Sequence, residues 1–113
     1  MLKQGNRLKR RQDFRRVYQR GKSLKNHAFV MCYRPAQKQN LRIGFSVSKK
    51  IGKAVERNRV RRRLREACRL ELAAFASGYD YVFIARTGAK EETVESFRAR
   101  LLKILQTANL TPR

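Results

Sequence analysis

Lys49-Lys50-Ile51-Gly52-Lys53-Ala54-Val55-Glu56-Arg57-Asn58-Arg59-Val60-Arg61-Arg62-Arg63-Leu64-Arg65-Glu66-Ala67-Cys68-Arg69 contains ten lysines and arginines, yet its apolar positions keep a helical beat. Wound at about 100° per residue, Val60, Leu64, Ala67, Cys68 and, further on, Phe75 share one arc, while Arg59, Arg62, Arg65 and Arg69 crowd the opposite side. A disordered basic tail has no reason to keep such a stripe. The pattern predicts a helix after Gly52, which separates it from the preceding strand, running to about Ala76, anchored to a core and holding a rank of guanidinium forks towards something anionic. Arg57 falls on the azimuth of Val60 and Leu64, so it should lean over a sheet edge at the helix start.

Upstream of this helix, residues 41–48 alternate cleanly. Leu41, Ile43, Phe45 and Val47 form an apolar face, and Arg42, Gly44, Ser46 and Ser48 form the other. Two readings fit the small second face: a bulky ligand approaching the backbone, or simple exposure to solvent. Residues 27–33 form an earlier strand, with Phe29, Met31 and Tyr33 facing one way and Ala28, Val30 and Cys32 the other. Pro35 closes it, and Gln37-Lys38-Gln39-Asn40 reads as a hairpin loop joining the two strands. Phe14, Val17 and Tyr18 mark a short first helix ended by Gly21. Downstream, residues 80–86 form a third strand. Thr93 then caps a last helix striped by Val94, Phe97, Leu101, Ile104, Leu105 and Ala108. The expectation is one α+β domain over residues 1–113, a small mixed or antiparallel sheet with three helices packed on it.

The charge of +21 is unevenly spread. Residues 1–25 carry ten basic side chains against Asp13, and residues 49–69 ten against Glu56 and Glu66. Residues 70–113 balance six basic groups against five acidic ones. Self-repulsion on this scale predicts a neutralising partner, and nucleic acid fits best. No apolar run approaches the ~18–20 residues of a membrane span. The N-terminal residues lead into no apolar signal core, so a cytoplasmic protein without a membrane partner is expected.

Protein-based catalysis is poorly supported. There is no Gly-rich phosphate loop, His27 is the sole histidine, and Cys32 and Cys68 read as small core residues rather than metal ligands. Binding features are richer. Phe14 and Tyr18 neighbour one another on a helix studded with Arg10, Arg11, Arg15, Arg16 and Arg20, a setting suited to unpaired bases. Phe14 serves equally well as a residue that packs the helix onto the sheet. Tyr18, with its hydroxyl, leans towards the ligand surface.

The block Arg57-Asn58-Arg59-Val60-Arg61-Arg62-Arg63-Leu64-Arg65-Glu66, preceded by residues 44–55, closely resembles the signature of the bacterial ribonuclease P protein subunit. The flanks agree: Leu8-Lys9 with Phe14, Val17, Tyr18 and Gly21 resembles that family's first helix, and residues 81–86 its late strand. The resemblance implies an α/β sandwich with a left-handed crossover, like the second domain of ribosomal protein S5. It also implies a small basic protein, one copy per RNA, that is the non-catalytic subunit of an endoribonuclease. In that enzyme the RNA subunit, with Mg2+, hydrolytically removes the 5′ leader of precursor tRNA, and the protein binds both the RNA subunit and the leader. Carried over by position, Arg57, Asn58, Arg59, Arg61, Arg62 and Arg65 would serve the RNA subunit and the cleft rim. Phe14, Tyr18, Arg15, Ser46, Ser48, Lys49 and Lys50 would line the leader cleft. The family often has an aromatic where this chain has Cys32, which leaves stacking to the helix aromatics. A general or ribosomal-type RNA-binding module without a processing role is the alternative.

Overall fold

The structure, a computed structural model, describes residues 6–36 and 41–112. Its elements in chain order are α1 (Arg11–Arg20), β1 (Lys22–Lys25), β2 (Phe29–Pro35), β3 (Arg42–Ser46), α2 (Ala54–Leu70), β4 (Tyr79–Ala85) and α3 (Val94–Thr107). The sheet runs in the order β1-β2-β4-β3, with β4 antiparallel to β2 and parallel to β3.

This order overturns the expected hairpin. β2 and β3 do not pair; β4 lies between them, and the 37–40 loop falls outside the described residues. The reason is legible in β4 itself. Tyr81, Val82, Phe83 and Ile84 are apolar on both faces, so burial favours this strand at the centre of the sheet. The β3–α2–β4 connection is therefore a crossover between adjacent parallel strands, α2 lying over the sheet. β1, which the alternation did not reveal, pairs with β2 as the far edge. Its sequence, Lys22-Ser23-Leu24-Lys25, has a single apolar residue because little of it is covered.

Helices cover both faces. Towards α2 and α3, Phe29, Met31, Ile43, Tyr81 and Phe83 meet Val60, Leu64, Cys68, Phe97, Leu101 and Leu105 in the main core. On the opposite face Leu8, Val17, Cys32 and Val82 form a smaller cluster that seats α1, with Phe14, Val30 and Ile84 packed at its margin. Both cysteines are buried and unpaired. The outer edge of β3 is covered by residues 6–8: Leu8 N–H donates to the Ile43 carbonyl (2.9 Å) and the Asn6 side chain to the Leu41 carbonyl (2.7 Å).

Helix ends follow local chemistry. Gly52 reverses the chain into α2 with φ at 146°, a conformation L side chains avoid. The Glu56 carboxylate accepts from Lys53 N–H (3.3 Å) across the first turn. α2 stops at Leu70 rather than near Ala76. A 3₁₀ turn, Leu72–Ala74, redirects the chain so that Phe75 still enters the core, edge-on to Tyr81 at 5.0 Å between centroids. Thr93 caps α3 as expected, its Oγ1 accepting from Ser96 N–H (3.1 Å) while Ser96 Oγ accepts from Thr93 N–H (2.8 Å).

Candidate nucleic-acid interface

α1 lies across the sheet face that α2 and α3 leave uncovered, and the two sides of α1 differ. On one side the sheet floor is the ladder row Val30–Ile84–Ser46, all partly exposed. Tyr18 stands over it, 45 % exposed, and shares a hydrogen bond with Ser46. Burial of the phenol raises its pKa, against the pull of that hydrogen bond, so the hydroxyl stays protonated across the neutral range. Phe14 lies 6.3 Å from Tyr18 between ring centroids, tilted by 57°.

Phe14 also occupies the space above Gly44. A Cβ on that residue would sit 2.5 Å from Phe14 Cζ and 3.1 Å from Leu8 Cβ. The small face of β3 is thus filled in part by the protein's own ring, which the alternation could not distinguish from a place for a ligand. Next to Gly44 in the ladder is Val82, then Cys32, whose thiol burial pushes up in pKa. Tyr33 packs on the opposite face, 6.4 Å from Tyr79, so no strand aromatic reaches the cleft floor. The apolar strip Val30–Ile84 takes that place. It is visible in sequence only once β2 and β4 are known to be neighbours.

Edge strand β3 links this cleft to the arginine helix. Ser46 faces Tyr18, and the preceding residue, Phe45, faces the other way beneath Arg65, whose guanidinium carbon lies 5.7 Å from the ring centroid. Burial, together with the charges of Arg7 and Arg61, pulls the Arg65 pKa down, the electrostatic sign of a place that an anion would relieve. Arg61 is held by Asn58, whose side-chain oxygen accepts from Nη1 (3.1 Å). Asn58, Arg61, Arg62, Arg65 and Glu66 line a shallow hollow of about 390 Å³. Arg59 and Arg62 are exposed and Arg57 is half-buried. Ser48, Lys49 and Lys50 are exposed on the turn after β3.

The structure thus gathers Tyr18, Ser46 and Phe14 at one cleft and the arginines of α2 at the adjoining sheet edge. Arg15 is not among the cleft residues. It borders a groove on the other flank of α1 with Arg16, Arg20, Arg34 and Arg42. Of these partners, only Arg16 and Arg20 stand out in the sequence, as members of the basic first helix. Arg34 and Arg42 have a common signal in parity: they share a face with Cys32 and Gly44.

Among the described residues no group of three or more His, Cys, Asp or Glu could hold a metal ion, and none of the helices is long and apolar enough to cross a membrane. The carboxylates of Asp13, Glu56, Glu66, Glu71, Asp80 and Glu92 face arginine or lysine instead. The residues present therefore do not fit a protein-held Mg2+.

A family model described as Ribonuclease P matches residues 2–109. The ribonuclease P protein component of Alkaliphilus metalliredigens is 38 % identical over 109 residues, covering 96 % of this chain and 98 % of that protein. That of Caldanaerobacter subterraneus is 45 % identical over 103 residues, covering 91 % and 89 %. Among solved structures, the Staphylococcus aureus RNase P protein superposes with a TM-score of 0.83 at 34 % identity, covering 94 % of this chain and 97 % of that one. The Thermotoga maritima RNase P protein gives 0.81 at 33 % identity, covering 89 % and 96 %.

Proposed function

The chain belongs to the ribonuclease P protein family, the protein component of an RNA-catalysed endoribonuclease that processes the 5′ leader of tRNA, and we propose how its surfaces divide that work. The α1 cleft captures the single-stranded leader of precursor tRNA, and the arginine face of α2 holds the ribonuclease P RNA. One observation supports this reading: consecutive residues of β3 face the two surfaces, Ser46 lying beside Tyr18 and Phe45 beneath Arg65. Leader and RNA subunit would then be held in register by one strand.

The protein contributes no acid–base step. Tyr18 offers a leader base a half-open ring over the apolar strip of Val30 and Ile84, while Lys49 and Lys50 meet phosphates at the mouth. Arg57, Asn58, Arg59, Arg61, Arg62 and Arg65 supply charge-assisted contacts to the RNA subunit and screen two polyanions from each other. Magnesium belongs with the RNA, and screening by the protein lowers the concentration the RNA requires. One protein acts per RNA, in the cytoplasm. The family match favours this role over that of a general RNA-binding module.

The test is multiple-turnover cleavage of a precursor tRNA at low magnesium by a bacterial ribonuclease P RNA with and without the protein. Stimulation that depends on both components is expected; equal cleavage with and without protein refutes the role. Tyr18→Ala should weaken precursor binding about 5- to 150-fold, from a stack worth about 1–3 kcal/mol, and leave mature tRNA binding unchanged. An equal loss for both would make Tyr18 structural.

A further inference from the structure

The groove on the flank of α1 opposite Tyr18 is not explained by leader capture. It is a concavity of about 710 Å³ bordered by Arg15, Arg16 and Arg20 of α1, Arg34 of β2 and the Arg42–Asp80 pair. The two flanks are well separated. On β2, Arg34 lies four residues from Val30, about 13 Å along the strand, with α1 seated between the two rows.

The floor is built from an ion-paired fork. Arg42 Nε and Nη2 donate to the two Asp80 oxygens at 2.9 and 2.8 Å, and Nη1 reaches Asp13 at 3.4 Å. That fork occupies both nearby carboxylates. Arg15, Arg16, Arg20 and Arg34 have no ion-pair or hydrogen-bond partner among the described residues, and Arg34 is half-buried in that condition. Five guanidiniums thus face two carboxylates, both already taken by one of the five. No aromatic ring lines the groove, so it offers phosphate contacts without stacking. A single-stranded leader, whose bases need covering, suits the Tyr18 side. A backbone whose bases are paired inward suits this one.

We propose that this groove is a second RNA track, which holds adjacent backbone phosphates of a paired segment of the ribonuclease P RNA. It rests on the reading of the chain as the protein subunit of ribonuclease P. α1 then acts as a partition, with leader on its Tyr18 side and catalytic RNA on its Arg16–Arg20 side. The two walls, helix and strand end, give the backbone two lines of contact.

The experiment measures the affinity of the full protein for the ribonuclease P RNA across a salt series, with precursor and mature tRNA binding read in parallel. Arg16→Ala with Arg34→Ala removes one guanidinium from each wall. Removing two phosphate-neutralising groups should flatten the log–log salt slope by about 1.4–1.8, so that the affinity deficit is roughly tenfold larger near 50 mM than near 200 mM salt. The preference for precursor over mature tRNA should not change. Arg16→Ala with Arg20→Ala, both on the exposed helix, repeats the measurement with no strand residue altered, and Arg16→Lys with Arg34→Lys should retain most of the slope.

Wild-type affinity and slope in both alanine pairs would overturn the proposal. Intact RNA-subunit binding with weaker binding of both tRNAs would also overturn it, by giving the groove to the tRNA body. Either result leaves the leader-cleft reading untouched, because that reading is judged by wild-type stimulation of cleavage and by Tyr18→Ala.

Discussion

Gly44→Ala should unseat α1 and blunt leader recognition while leaving the RNA-subunit face intact. The new methyl would lie 2.5 Å from Phe14 Cζ and 2.8 Å from Cε1, with Leu8 Cβ behind at 3.1 Å. Ordinary packing requires the ring to retreat by about 1 Å, and Leu8 and Val17 restrict where it can go. Overpacking of this kind costs about 1–3 kcal/mol. Replacing glycine inside a strand returns about 0.5–1 kcal/mol through backbone entropy. The net is a loss of up to about 2.5 kcal/mol, with a midpoint slightly above 1 kcal/mol, and each kcal/mol lowers Tm by about 4–8 °C in a domain near this size.

Because Tyr18 follows Phe14 by one helical turn, the same displacement loosens the Tyr18–Ser46 hydrogen bond, and the precursor-over-mature preference should drop several-fold. Differential scanning calorimetry with parallel binding of the two tRNAs reads both effects. The sharper check is the double mutant Gly44→Ala with Phe14→Leu, in which the smaller side chain accommodates the methyl. A coupling of about 1 kcal/mol or more is expected. Tm within about 1 °C of wild type in Gly44→Ala, together with an additive cycle, would refute the claim that Phe14 on Gly44 seats the helix.

Arg42→Ala strips the partner from Asp80, whose side chain is only 8 % exposed, and should cost about 2–3 kcal/mol in a urea titration. The 34 % exposure of Arg42 admits water to the fork and keeps the loss below that of a fully buried pair. Tyr81→Phe removes the bond from the phenol to the Ala76 carbonyl (2.8 Å) and should cost about 1 kcal/mol. Burial raises the Tyr81 pKa, so the folded state keeps a proton that the unfolded chain releases near pH 10. Stability should be full below that pH and fall above it, less steeply in the phenylalanine variant, as followed by alkaline unfolding. Arg59→Ala with Arg62→Ala should lower affinity for the RNA subunit with stability held to within about 0.5 kcal/mol. Lost helicity in circular dichroism would instead assign those arginines to the fold.

The elements legible in the sequence are those whose neighbours lie on their own segment. The stripes of α2 and α3, the Thr93 cap and the alternation of β2, β3 and β4 are local patterns, and they appear where periodicity places them. Strand order is a different kind of fact. The sequence at 37–40 is polar and short, so a hairpin satisfies every local rule; only the two-faced apolarity of β4 argues for inserting it between its predecessors. The end of α2 departs from expectation for a related reason. Phe75 fits the helical arc by angle, yet reaches the same core through a 3₁₀ turn, and azimuth alone cannot separate those routes. At the candidate site, residue types are visible in the sequence but their sides of α1 are not. Arg15 and Tyr18 sit three apart on one helix, near enough to suggest one surface, and the seating of Phe14 and Val17 on the sheet turns them to different grooves.

That separation explains how a chain of +21 can spare so many arginines for a ligand. Six of its eight acids are engaged, and their partners are Arg42, Arg69, Lys90, Arg98 and Arg100; Arg69 braces one turn of α2, and the others tie helices to turns or to the sheet end. Arg57, Arg59, Arg61 and Arg62 on α2, and Arg15, Arg16, Arg20 and Arg34 around α1, form no salt bridge among the described residues, although Arg59 is near enough to Glu56 to lower its pKa. A carboxylate paired with each of them would have gained only a few tenths of a kcal/mol in water. It would also have cancelled a phosphate contact whose release of counterions drives RNA binding. The small gain forgone in the free protein is the condition for the larger one in the complex. Arginines that hold the fold together are therefore told from arginines that hold RNA by their carboxylates, not by their exposure: Arg69 is as open as many of its neighbours, yet it is bound to Glu66.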